Sequence, residues 1–85
     1  MPTILIYKGW RVFFFANEGN EPIHVHCKKG SAIAKFWIYP YEYDIKKEYV
    51  RRMTKTQERE IRKILFTHLD DIVKAWNSFK EKTNE

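Results

Sequence analysis

Cysteine is nearly absent from this chain. Cys27 is the only one in 85 residues, which excludes an intrachain disulfide framework and any zinc site built from several thiolates. Long apolar runs are missing as well. The longest uncharged one, Val12–Ala16, is far short of the roughly 20 residues that span a bilayer. The N-terminus has no basic-then-apolar signal pattern, so a cytoplasmic chain without a membrane role is expected. No internal repeat, low-complexity stretch or linker interrupts the sequence. No nucleophile elbow, Walker loop or dinucleotide fingerprint is present either. At this length the chain is one small domain, which excludes a multi-domain enzyme.

What is abundant is aromatic and charged. Three Trp, five Tyr and six Phe make 16% of the residues, large side chains that let a short chain bury useful area. The hydrophobic fraction is 44% and the charged fraction 32%, a composition that supports a core and argues against disorder. The formal net charge of +5 is not spread evenly. Residues 46–63 carry eight Lys/Arg against three Asp/Glu, while the segments on either side nearly balance. A basic segment of this kind attracts phosphate backbones or an acidic protein; its plainer reading is a solvated helix start with Glu48, Glu58 and Glu60 interleaved.

Two periodicities divide the chain. Residues 3–39 are rich in β-branched and aromatic side chains with a period near two. Four strands are expected: Thr3–Tyr7, Trp10–Ala16, Ile23–Lys28 and Ala32–Tyr39. Their connections are short, so an antiparallel meander is the economical topology. Ala34, Phe36 and Ile38 form the expected core side of the fourth strand. Most of Phe13–Phe15, Phe36, Trp37 and Trp76 are expected in the core. Residues 40–53 read as a basic connection. Thr54 with Gln57 three residues on is a capping-box pattern, and residues 54–82 contain neither Gly nor Pro. Ile61, Leu65, Leu69, Ile72, Trp76 and Phe79 make one stripe at helical spacing. The expected fold is α+β: a four-stranded antiparallel sheet packed against one long helix, with a break near Thr67–Asp70 if it is broken.

Candidate chemistry centres on histidine. His24 and His26 lie two apart on the third strand, so they share a face with Cα atoms about 6–7 Å apart. Such a pair can hold one divalent metal if a carboxylate joins it, and Glu18 and Glu21 lie just upstream. It can also act with Glu21 in general acid–base catalysis on RNA, with Lys35 or Arg11 supporting a transition-state phosphate. A third use is structural, a buried His meeting nearby backbone groups. His68 falls within the helical stripe and is expected to face the sheet. Cys27 alternates with the histidines and should point away from them.

The binding candidates are Lys46, Lys47, Arg51, Arg52 and Lys55, with Tyr41 and Tyr43 beside them. Exposed tyrosines near cations stack the bases of single-stranded RNA; they also anchor protein interfaces. Phe66 and Val73 flank the helical stripe, facing a partner, a second copy, or the loop at 40–50.

Several blocks look familiar together: residues 1–5, Phe13-Phe14-Phe15, residues 17–26 with their Glu-Gly-Asn-Glu-Pro-x-His-x-His order, Ala34-Lys35-Phe36-Trp37, and His68…Asp71…Trp76. They resemble the bacterial family known as domain of unknown function 4160 through nearly the whole chain. Family members usually carry a second Pro where this chain has Ile23, and a less basic connection where it has Lys46–Lys55. The resemblance implies a small bacterial or phage-associated protein without a settled activity. It also implies half of a two-gene, toxin–antitoxin-like unit, and hence a protein partner or homo-oligomer. An RNA-acting or metal-dependent hydrolase and a non-catalytic nucleic-acid-binding domain are the alternatives.

Overall fold

The computed structural model describes residues 3–15 and 21–83. Five strands come first: β1 (Thr3–Tyr7), β2 (Trp10–Phe13), β3 (His24–Lys29), β4 (Ala32–Tyr39) and β5 (Asp44–Arg51). Two helices follow, α1 (Lys55–Thr67) and α2 (Leu69–Thr83). The strands pair antiparallel in chain order, an unbroken meander. The fold is α+β as expected, with one correction. The sheet has five strands, not four, because most of the expected basic connection is β5. The helix is broken, and the break falls at His68, inside the stretch expected for it.

The turns have local causes. Lys8 and Gly9 both have positive φ, 52° and 83°, between the paired Tyr7 and Trp10. That is the two-residue hairpin whose twist matches the strands. A Cβ at Gly9 would also come within 3.2 Å of the Lys29 side chain. Between β3 and β4, Gly30 takes a positive φ of 59° at the first turn position. After β4, Glu42 N–H donates to the Tyr39 carbonyl and Tyr43 N–H to that of Pro40, and Tyr43 adopts φ 50°.

Core and cover follow from the alternation. Trp10, Val12, Val25, Cys27, Ala34, Phe36, Ile38 and Ile45 point to one side of the sheet and are buried. Ile61, Ile64, Leu65, Leu69 and Ile72 close over them from the helices. Their three- and four-residue spacing puts them on one helical face. The Thr54 side chain accepts from Gln57 N–H while the Gln57 side chain accepts from Thr54 N–H, so the capping box is formed. Trp10 Nε1 donates to Glu60 Oε1 at 2.7 Å, and Lys29 Nζ donates to the same oxygen at 3.2 Å. These two bonds tie α1 to β2 and β3. Phe14 holds the far end of α2, with its ring 5.1 Å from Trp76 and 4.9 Å from Phe79.

A bulge in β5 matters for the other side. Lys35 pairs with Tyr49 but Phe36 pairs with Lys47, leaving Glu48 as the extra residue. An extra residue resets the alternation. Lys46 precedes it opposite Trp37, and Tyr49 follows it opposite Lys35. Glu48 itself is the acceptor for Trp37 Nε1 at 2.8 Å. Lys46, Glu48 and Tyr49 therefore all serve the face away from the helices. Among the described residues no helix is long and apolar enough to cross a membrane.

Candidate functional site

The histidines are placed by β3 and by the helix break. His24 has no exposed surface. Its Nδ1 lies 3.0 Å from the Pro22 carbonyl, which makes that nitrogen the donor. Its Nε2 lies 3.6 Å from Glu21 Oε2. The ring is boxed edge-on by Trp37, Trp76 and His26, at 5.2–5.3 Å between centroids. His26 is also buried, stacked on Phe13 at 5.6 Å and edge-on to Phe15 at 4.7 Å. Both histidines thus sit in a cluster of aromatic rings. The groove lined by Glu21, Pro22, Pro40, Tyr41 and Trp76 among others is not lined by either imidazole.

His68 does not join them. It caps the end of α1, with Nδ1 3.7 Å from Asp71 Oδ2 and its ring edge-on to Tyr7 of β1 at 5.8 Å. Among the described residues no group of three or more His, Cys, Asp and Glu is arranged to hold a metal ion. Glu18, the other expected carboxylate, lies outside the described residues. Cys27 does point away from the histidines into the core, where burial pushes its thiol pKa far up.

β5 splits the basic segment between two surfaces. Lys47 turns to the helix side and pairs with Glu58 at 3.2 Å. With Lys55, Arg59 and Arg62 it borders a shallow surface at the start of α1. Lys46 and Arg51 turn the other way. Lys46 Nζ lies 5.2 Å from the Tyr39 ring centre, and the Arg51 guanidinium 4.9 Å from that of Tyr49. Arg52 follows with φ 52° at the strand's end. Tyr41 is fully exposed. Tyr43 donates its hydroxyl to the Phe66 carbonyl at 2.9 Å and lays its ring near Phe66. Tyr43 is therefore a clasp between the loop and α1, and Phe66 faces the 40–50 loop.

The face away from the helices, reached by α2 only where Trp76 packs on His24, brings together residues distant in sequence. Strand pairing places Arg11, Lys28, Ile33, Lys35, Trp37, Tyr39, Lys46, Tyr49 and Arg51 on this one side. Each aromatic lies under a cation: Lys35 Nζ is 4.5 Å from the Trp37 ring centre, and Arg11 is 4.9 Å from that of Phe13. Five cations face two carboxylates here among the described residues. Both carboxylates are engaged locally, Glu48 by the Trp37 indole and Asp44 by the Ile45 N–H at 2.8 Å. The end near Phe13, His24 and His26 is buried, and the β4–β5 half is half-exposed or exposed. Trp37, expected in the core, is half-exposed on this face. Its outward position was legible in the alternation with Phe36; what was missing was knowledge that one side of the sheet goes uncovered.

The model of the family described as Domain of unknown function (DUF4160) matches residues 9–77. The chain belongs to this family. The family match runs from the β1–β2 turn to just past Trp76, so it contains the histidine cluster and nearly all of the uncovered face. No curated protein and no solved structure matches the chain.

Proposed function

We propose that this family member is a non-catalytic binding module that takes single-stranded nucleic acid across the uncovered face of its sheet. The observation that carries the reading is the interleaving of Trp37, Tyr39 and Tyr49 with Lys35, Lys46 and Arg51 on one accessible surface. Aromatic faces stack bases without demanding a sequence, and cations between them follow the backbone. The strands hold these groups at fixed spacing, so little ordering entropy is lost on binding.

The competing readings fit the same geometry less well. A hydrolase at His24 and His26 needs an imidazole within reach of a substrate, whereas His24 has no exposed surface and its nitrogens face Pro22 and Glu21. A protein-binding half of a toxin–antitoxin-like pair predicts a face poor in lysine, because protein interfaces are depleted of it. Lys28, Lys35 and Lys46 stand here among the aromatics.

The test is fluorescence polarisation of labelled oligouridine and oligothymidine over a range of salt. Affinity should fall linearly in log–log form, with a slope of about −0.7 per phosphate engaged. Trp37→Ala should weaken binding by about 1–3 kcal/mol, the worth of one stacked base. No binding at low salt, or binding indifferent to Trp37→Ala, would reject the reading. Co-purification with an acidic protein at the same face would favour the protein-partner alternative instead.

A further inference from the structure

The two ends of the uncovered face differ in charge. Both of its carboxylates, Asp44 and Glu48, lie toward the Trp37–Tyr39 end. At the other end, the β3–β4 turn and the end of β5 enclose an open concavity of about 420 Å³ lined by Lys28, Gly30, Ser31, Ile33, Arg51 and Arg52. No acidic side chain among the described residues lines it. Among the described residues none of its three cations forms an ion pair, although acids sit close enough elsewhere to neutralise Lys29 and Lys47.

Its construction is specific to the fold. Lys28 and Arg51 flank Ile33, the residue that pairs with each of them on β4. Arg52 reaches the rim because the chain turns there through a left-handed φ of 52°, a conformation an arginine seldom adopts. Gly30 also has positive φ, and a Cβ built on it would meet nothing within 4 Å. The space above that backbone is therefore open to a ligand. Ser31 adds a hydroxyl that can donate. Guanidinium groups suit phosphate oxygens because their N–H fork matches them in pairs.

We infer that this concavity is a phosphate subsite, which deepens and rests on the sheet-face reading. It sets the path of the bound strand: a phosphate lies at the hairpin end, and the bases run along β4 toward Trp37 and Tyr39. From Ile33 to Tyr39 the strand rises about 20 Å. The phosphate is either an internal diester or a terminal monoester, since both present the same oxygens.

Isotope-labelled protein titrated with inorganic phosphate tests the subsite by amide shifts. The shifts should centre on Gly30, Ser31 and Arg52 and be abolished in Arg51→Gln/Arg52→Gly, a pair that gives the left-handed position to glycine. Lys28→Gln, on the opposite wall, should weaken them independently. Shifts that centre on Lys55, Arg59 and Arg62, or that persist in both variants, would overturn the subsite. In oligouridine binding, Arg51→Gln/Arg52→Gly should make the salt slope shallower by about 0.7 for each phosphate the variant no longer neutralises. A slope unchanged in a variant that still requires Trp37 would overturn the subsite and leave the sheet-face reading standing. Failure of the wild-type chain to bind any strand, with phosphate still shifting the turn, would overturn the sheet-face reading and not the pocket. Oligouridines with and without a 5′-phosphate separate the two sources: a gain from the 5′-phosphate assigns a terminal phosphate, and equal binding an internal one.

Discussion

The Trp37 indole donates to Glu48 across 2.8 Å, on the side of the sheet away from the helices. Glu48 is the bulged residue of β5, so an irregularity in one strand orients an aromatic on the next. The bond holds the largest ring of the uncovered face in one pose while placing a negative charge beside it.

Glu48→Gln should therefore keep the acceptor and remove the charge. Strand binding is expected to tighten by about 0.5 kcal/mol at low salt, roughly two- to threefold, with the gain fading as salt screens it. Glu48→Ala frees the indole and should tighten binding less than Glu48→Gln does. Polarisation titrations of both variants at two salt concentrations check the pair; equal effects would mean that the hydrogen bond does not pose the ring.

Glu60 predicts an acid limb of stability. The Trp10 indole bond, then the Lys29 hydrogen bond and charge, hold its carboxyl below the ordinary value of 4.5. A carboxyl lowered in the folded state contributes stability that is present above its unfolded value and lost as pH falls through the folded one. Near neutrality that contribution is fully present, so melting temperature should be insensitive to pH there, with wild type at or above Glu60→Gln. It should fall more steeply for wild type than for Glu60→Gln once pH drops below about 4. Thermal unfolding of both proteins from neutral to acid pH measures it, and parallel curves would contradict the linkage.

His24 predicts a packing defect. It is wholly buried among three rings and answers the Pro22 carbonyl. His24→Ala opens a cavity and orphans an acceptor, so urea unfolding should show a loss of about 2–4 kcal/mol. His24→Phe should recover part of it by filling the volume without restoring the donor. A wild-type-like midpoint for His24→Ala would deny the packing role and return the imidazole to candidate chemistry.

Cys27 predicts protection. Burial in the core raises its thiol pKa, so the reactive thiolate is scarce and inaccessible. Labelling by a thiol reagent at mildly alkaline pH should be slow in the native protein and accelerate with urea along the unfolding curve. Fast labelling without denaturant would show that β3 opens locally.

Short-range physics was legible in the residues themselves. The reciprocal bonds of Thr54 and Gln57 join residues only three apart, so the helix start followed from the sequence. The bounds of β1 and β4 followed from turn residues beside Gly9 and Gly30. The opposed directions of Cys27 and the two histidines followed from strand geometry alone. The helix break near Thr67–Asp70 was also foreseeable, since one long helix would overrun so small a sheet.

β5 was not legible, for two reasons. Its residues Asp-Ile-Lys-Lys-Glu-Tyr-Val-Arg are dominated by charge, and the bulge at Glu48 breaks the period of two on which a strand is recognised. Pairing with β4 makes it a strand. The candidate site depended on tertiary structure still more. Alternation separates Phe36 from Trp37, but it cannot say which side receives a second layer. Two helices on one face bury Phe36 and leave Trp37, Tyr39 and Tyr49 among the cations. The sequence by itself determined where the chain turns, caps and alternates, because those are interactions between near neighbours. Only the packing of α1 and α2 decided which alternating set became core and which became surface, because that choice is made by segments that lie far apart in the chain and meet only in the folded molecule.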